Sequence, residues 1–273
     1  MDAGNDYYVA KRRCLIFIQK IVLMDLSKWP IVNWVAFLAT VVINYFASGD
    51  NAAVSDRIDI YFKPAGYAFS IWGVIYVALL VWLVLQLKKG TTANRQAERM
   101  KAGFLISCVL NGLWLLAFTN EWFVLSLVIM VAFLATLCWL YYIAFRTSTS
   151  WLDRFPFSIY IGWVSVATIV NTFVVMKTEQ ITSLLGLDEL AWTSLMLMVG
   201  VVLALLFMWW HHDFIYPLVF VWAYIGIFAR IEEGTLYVVI VSALALLAIG
   251  YIGLILWKRP KSFLHHPRKT VEH

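Results

Sequence analysis

Three short stretches of the sequence set aromatic rings and hydrogen-bonding groups along one side of a helix. Phe69, Trp72 and Tyr76 follow one another at spacings of three and four; so do Asn111, Trp114 and Phe118. Trp163, Ala167 and Asn171 repeat the pattern in steps of four, with Thr168 beside them. Residues three and four apart share a helical face. Facing one another, such stripes would wall a cavity with flat apolar surface and a few groups that orient a ligand, the usual make-up of a small-molecule pocket. They equally suit a helix–helix interface, where Asn and Thr bond across helices. Spacing alone leaves both readings open.

The chemistry on offer is binding. Asp, Glu, Lys, Arg and His are missing from the interior of the long apolar runs. Ion-coupled carriers, proton pumps and voltage sensors need such groups within the membrane, and a metalloprotease needs His and carboxylate ligands in its helices. No general base, nucleophile or metal set stands out to support ordinary enzymology. His211-His212-Asp213 lacks metal-ligating partners nearby in sequence and reads as a polar interfacial turn, as does Glu232-Glu233. The three cysteines, Cys14, Cys108 and Cys138, are odd in number and do not form a disulfide framework. Cys14, after a basic triplet, is a weak palmitoylation signal.

The elements that must position the stripes follow from composition. Of 273 residues, 63% are hydrophobic and only 14% charged, against about 25% charged in a soluble domain. Mean hydropathy is +0.81. The uncharged runs reach the ~20 residues that a bilayer core demands, and they are too long for barrel strands. The fold class is therefore an all-α polytopic membrane bundle. Eight transmembrane helices are expected near 30–49, 66–87, 102–119, 122–145, 156–176, 190–210, 214–230 and 235–257. Asn120-Glu121 and His211-His212-Asp213 are links short enough to force antiparallel hairpins, and Pro217 is placed to kink the seventh span.

Lys and Arg set an expected orientation. With eight spans, seventeen of the 21 fall on the side of the two termini, and only Arg57, Lys63, Lys177 and Arg230 on the other. Both termini should then be cytoplasmic. The net charge of +5 reports membrane orientation, not nucleic-acid binding. Residues 1–29 read as a basic, non-cleaved segment and 258–273 as a basic cytoplasmic tail. Of the 14 Trp, Trp29, Trp122, Trp151, Trp192, Trp209, Trp210 and Trp257 sit at span ends, where interfacial anchoring accounts for them. Trp82 lies within a span but off the three stripes.

The first five spans resemble the TspO family, the tryptophan-rich sensory proteins and translocator proteins (peripheral benzodiazepine receptors). "KPAGYAFSIWGVIY" at 63–76 is similar to that family's loop-to-helix motif. "LNGLWLLAF" at 110–118 is similar to its third-helix motif, and "WVSVATIVN" at 163–171 to its fifth-helix motif. The resemblance covers roughly residues 30–176 and implies a five-helix unit there, followed by a three-helix extension over 177–257 that the motifs do not reach. It also implies a pocket beneath the loop 50–65, with Trp72, Asn111, Trp163 and Ala167 as ligand contacts. Phe69, Tyr76, Trp114 and Asn171 would support the wall. Pro64 and Gly66 would fix the turn into the second span. The chain departs from the family pattern at Leu116 and Ile159, where the family usually has Pro, and in having one Pro in its first loop.

The implied function is a bacterial plasma-membrane sensor or translocator for a flat hydrophobic ligand: a porphyrin or other tetrapyrrole, a sterol-like molecule or an aromatic compound. No cofactor is required, and porphyrin or haem would enter as ligand. The alternatives are a facilitated carrier or exporter of a neutral apolar solute, or oxidative porphyrin degradation with Trp72 and Trp163 as the redox-active rings. Expected partners are the lipid bilayer and the ligand, with no nucleic acid. The three added helices favour a monomer over the dimers of five-helix relatives.

Overall fold

The computed structural model describes residues 29–148 and 150–230, with scattered positions between 242 and 253. Seven helices occupy the described residues: α1 (Trp29–Arg57), α2 (Ile71–Gln86), α3 (Thr92–Thr119), α4 (Phe123–Thr147), α5 (Trp151–Thr178), α6 (Glu189–His211) and α7 (Ile215–Phe228). A 3-10 turn, Gly66–Ser70, leads into α2. No strand occurs among the described residues. Six stretches, α1 and α3 to α6 together with the turn-plus-α2 stretch Gly66–Gln86, are long and apolar enough to cross a membrane. With the polytopic sequence pattern, they make this an integral membrane protein.

The expected eight spans are therefore met only in part. At 14 residues, α7 is about 21 Å long and falls short of a ~30 Å hydrocarbon core. The expected eighth span, 235–257, lies outside the described residues apart from scattered positions, as do the basic segment up to residue 28 and the tail 258–273. Two helices are longer than hydropathy implied. α1 continues to Arg57, so the first half of the expected loop 50–65 is helix, and only 58–65 forms the connection. α3 starts at Thr92, its N-cap Thr91 accepting the Asn94 N–H through Oγ1 at 3.1 Å. That cap satisfies one of the orphan donors of a helix start. A charged first turn is compatible with a helix that begins in the interface, where the hydropathy window no longer sees it.

Pro217 does not kink a span. It sits in the first turn of α7, where a missing N–H costs no helical bond. Pro156 lies within α5, and α3 runs unbroken through Leu116.

α3, α4 and α5 pack side by side as the centre of the bundle, with α1 on α3 and α2 against α3 and α5. Phe104, Phe133, Phe157 and Trp163 are fully buried between them. α7 lies on α5 and on the 3-10 turn, and α6 packs on α7. Trp29, expected as an interfacial anchor, is buried instead, whereas Trp122, Trp209 and Trp210 are exposed.

Glycine sets how closely α7 approaches the start of α2. A Cβ at Gly226 would lie 2.9 Å from the Cβ atoms of both Pro64 and Ala68, and the Gly226 carbonyl accepts the Ala65 N–H at 3.0 Å. Gly226→Val should push α7 off this seat. We expect a loss of about 1–3 kcal/mol, the usual cost of overpacking, read as a lower unfolding temperature in mild detergent. An unchanged temperature would mean that this contact is not made.

Candidate functional site

A cavity of about 430 Å³ lies between α1, the 3-10 turn with α2, α3 and α5. Phe69, Trp72, Tyr76, Trp114, Trp163, Ala167 and Asn171 all line it, together with Phe118. The three stripes thus converge, because α2, α3 and α5 pack around one another in the order that brings their aromatic faces inward. Trp72 is the hub: its ring lies 5.7 Å from Tyr76 and 6.5 Å from Trp114 in stacked orientation, and 5.9 Å edge-on from Tyr160. Phe69 meets Trp163 edge-on at 5.6 Å. These are favourable aromatic geometries, so the wall is set in place without a ligand.

Asn111 is the one expected site residue outside the lining. It is fully buried behind the wall. Its Oδ1 accepts Asn44 Nδ2 at 2.6 Å, and its Nδ2 donates to the Tyr160 hydroxyl at 3.4 Å. Asn44 does line the cavity, so Asn111 positions the amide that faces it. Asn171 reaches the lining but is clasped to Ser126 of α4 at 3.1 Å. The two readings of the stripes therefore divide by residue type. The rings wall the cavity, and the amides join helices.

The polar side of the cavity comes from α1. Asn44, Ser48, Asn51 and Ser55, at helical spacing, line it, and so does Asp56, the single charged side chain among the lining residues. Sequence reading missed Asn51, Ser55 and Asp56 because their own polarity lowers the hydropathy of that stretch, which then reads as loop, and it singled out no stripe through Asn44 and Ser48 within the first span. Their spacing of four, three and four was the available signal. Among the described residues, the Trp114 and Trp163 indole N–H groups and the Tyr76 hydroxyl, all on cavity-lining residues, are buried without a hydrogen-bond partner. Such groups are costly in a dry interior.

The connection 58–65 reaches the cavity at its end, with Pro64 and then Gly66 of the 3-10 turn in the lining. The buried Lys63 ammonium donates to the Ser55 and Ile58 carbonyls at 2.8 and 2.9 Å, capping the end of α1. Burial, then the positive charge of Arg230, lowers the Lys63 pKa from its usual value, while Asp56 and Asp59 oppose the shift. Phe62 stacks on Phe173 at 5.5 Å. The later helices fasten the same segment. Trp222 Nε1 donates to the Ala68 carbonyl at 2.8 Å, Arg230 Nη1 to that of Lys63 at 3.1 Å, and the Tyr61 N–H to Glu189 at 3.0 Å. The residues after 176 thus do more than cover a face of the bundle.

At the other end of the bundle, the expected interfacial turn His211-His212-Asp213 contains a buried carboxylate. Asp213 accepts from Tyr141 and Ser158. Among the described residues no group of His, Cys, Asp and Glu could hold a metal ion.

A family model described as TSPO-like protein matches residues 30–257. That match continues past the five spans that carry the motifs. Searches of the curated proteins and of the solved structures returned no match.

Proposed function

We propose that this chain, which belongs to the TSPO-like protein family, is a membrane sensor or translocator that takes a flat hydrophobic ligand into the cavity between α1, α2, α3 and α5. The observation that carries the reading is the convergence of Trp72, Trp114 and Trp163 on one cavity of about 430 Å³, within the ~300–1,000 Å³ of small-molecule sites. The rings supply stacking and dispersion, and the α1 stripe from Asn44 to Asp56 supplies hydrogen bonds to a polar edge. A tetrapyrrole such as protoporphyrin or haem, a sterol-like molecule or a planar aromatic compound has that character. The Lys and Arg distribution supports cytoplasmic termini; a bacterial plasma membrane is part of the proposal.

The test is a titration of the purified protein with protoporphyrin, haem, sterols and retinoids, followed by Trp quenching. Trp72 is half-buried in the wall, so Trp72→Ala should weaken binding by ~1–3 kcal/mol, the worth of a large aromatic contact. Trp82 is a poor control. It donates to Gln96 at 2.9 Å and packs on Phe104 and Phe157, so its loss would disturb the core. Trp209, 75% exposed, serves instead, and Trp209→Ala should bind as wild type. Saturable quenching that Trp72→Ala leaves unchanged would place the ligand elsewhere. Uptake into liposomes then separates translocation from sensing.

A further inference from the structure

At the end of the bundle away from the cavity, α3 begins beside the end of α4. A recess of about 270 Å³ opens there, lined by Arg95, Glu98 and Arg99 of α3 and Arg146 and Thr147 of α4. We propose that this recess binds the phosphate of an anionic lipid headgroup, a site separate from the aromatic cavity.

Three observations carry this. First, no ion pair among the described residues engages these arginines. The ion pairs among the described residues are Arg57–Glu121, Lys177–Glu189 and Arg230–Asp59. All three lie at the opposite end of the helices, and none includes Arg95, Arg99 or Arg146. Second, the chemistry suits a phosphodiester. Guanidinium groups present planar forks that match phosphate oxygens. Arg95 is held in place by bonds to the Gly90 carbonyl at 3.0 Å and Thr92 Oγ1 at 3.2 Å. The Thr147 hydroxyl already donates to the carbonyls of Ile143 and Ala144, so the recess offers the arginines as donors. Glu98 shares the lining and leaves an excess of positive charge, and its carboxylate can accept a headgroup hydroxyl.

Third, the recess opens next to an exposed apolar strip on the same two helices. Ile106 lies two turns into α3 from Arg99, and Tyr142 and Trp139 lie one and two turns into α4 from Arg146; all three are exposed. Between them Gly103 has no side chain, and the Trp139 ring covers the place a Cβ would take. Acyl chains lying on this strip would bring the phosphate to the arginines. Basic pockets between transmembrane helices bind anionic headgroups by this combination.

The test is native mass spectrometry of the full chain in mild detergent with added phosphatidylglycerol or phosphatidylcholine. Wild type should retain phosphatidylglycerol in preference to phosphatidylcholine. Arg99→Gln/Arg146→Gln should lower that retention by about tenfold or more, as expected for the loss of two basic contacts. Both side chains are exposed; Arg146→Gln alone, with an unfolding temperature matching wild type, guards against misfolding and should lower retention in the same direction. Arg57→Gln, at the paired end, should retain the lipid. Equal retention by wild type and the double variant overturns the proposal, as does equal retention of the two lipids. Millimolar inorganic phosphate should leave the lipid bound; complete displacement by it would identify a soluble-phosphate site and overturn the lipid assignment.

Discussion

Ala167→Phe should abolish ligand binding and leave the bundle folded. Ala167 lies one turn beyond Trp163 on α5 and lines the cavity. Its small side chain is what allows a flat ring to approach that helix. A phenyl group there enters a space already walled by Trp72, Trp114 and Trp163, and the ligand must either leave or displace it. Overpacking alone costs ~1–3 kcal/mol, and the lost stacking on the wall adds to it, so affinity should fall about 100-fold or more. The empty cavity can take up the ring in the ligand-free protein, so the unfolding temperature in detergent should stay close to wild type. The measurement is the quenching titration used for Trp72→Ala. Wild-type affinity in a folded Ala167→Phe protein would remove the cavity from consideration. Loss of both binding and folding would shift the test to Ala167→Val, a smaller step into the same space.

How much of this was legible in the sequence depended on the kind of signal. Aromatic stripes at spacings of three and four survive any shift of helix boundary, so Trp72, Trp114 and Trp163 could be set on helix faces before their helices were seen; spacing left pocket and interface open, and the family resemblance favoured one cavity. Hydropathy works by averaging, and it failed where a helix is polar for a reason. α1 was cut short at 49 because Ser48, Asn51, Ser55 and Asp56 face the cavity, and α3 was started late because Arg95, Glu98 and Arg99 face the interfacial recess. In both places the residues that blurred the span line an opening in the fold. For Asn111, spacing offered two roles and could not choose between them. Whether an amide faces a ligand or a neighbouring helix depends on Asn44, 67 positions away, and no local pattern encodes that pairing. The hold of Trp222 on Ala68 spans 154 positions and was hidden for the same reason.

The other large effect concerns Asp213, whose neighbours make its turn a structural joint. The carboxylate is 2% exposed. Its Oδ2 accepts the Tyr141 hydroxyl of α4 at 2.8 Å, and its Oδ1 accepts the Ser158 hydroxyl of α5 and the Ile215 N–H of α7, each at 2.9 Å. Beside it, Arg154 of α5 donates to the His211 carbonyl at 3.0 Å, and His212 takes the left-handed conformation that ends α6. One side chain therefore ties the α6–α7 turn to two central helices. Asp213→Ala removes the acceptor from three donors at once, and each buried donor left without a partner costs about 1–3 kcal/mol. We expect a loss of about 3 kcal/mol or more and a clear fall in the unfolding temperature. Tyr141→Phe removes a single donor and should cost about 1 kcal/mol. Asp213→Asn should fall between them, because its amide oxygen still accepts while its NH₂ can donate to a rotated hydroxyl. The joint lies at the far end of the helices from the cavity, so Tyr141→Phe should bind ligand as wild type does. If Asp213→Ala melts at the wild-type temperature, the carboxylate is not the fastening that its three bonds describe, and the later helices are held by packing at Gly162, Gly200 and Gly226.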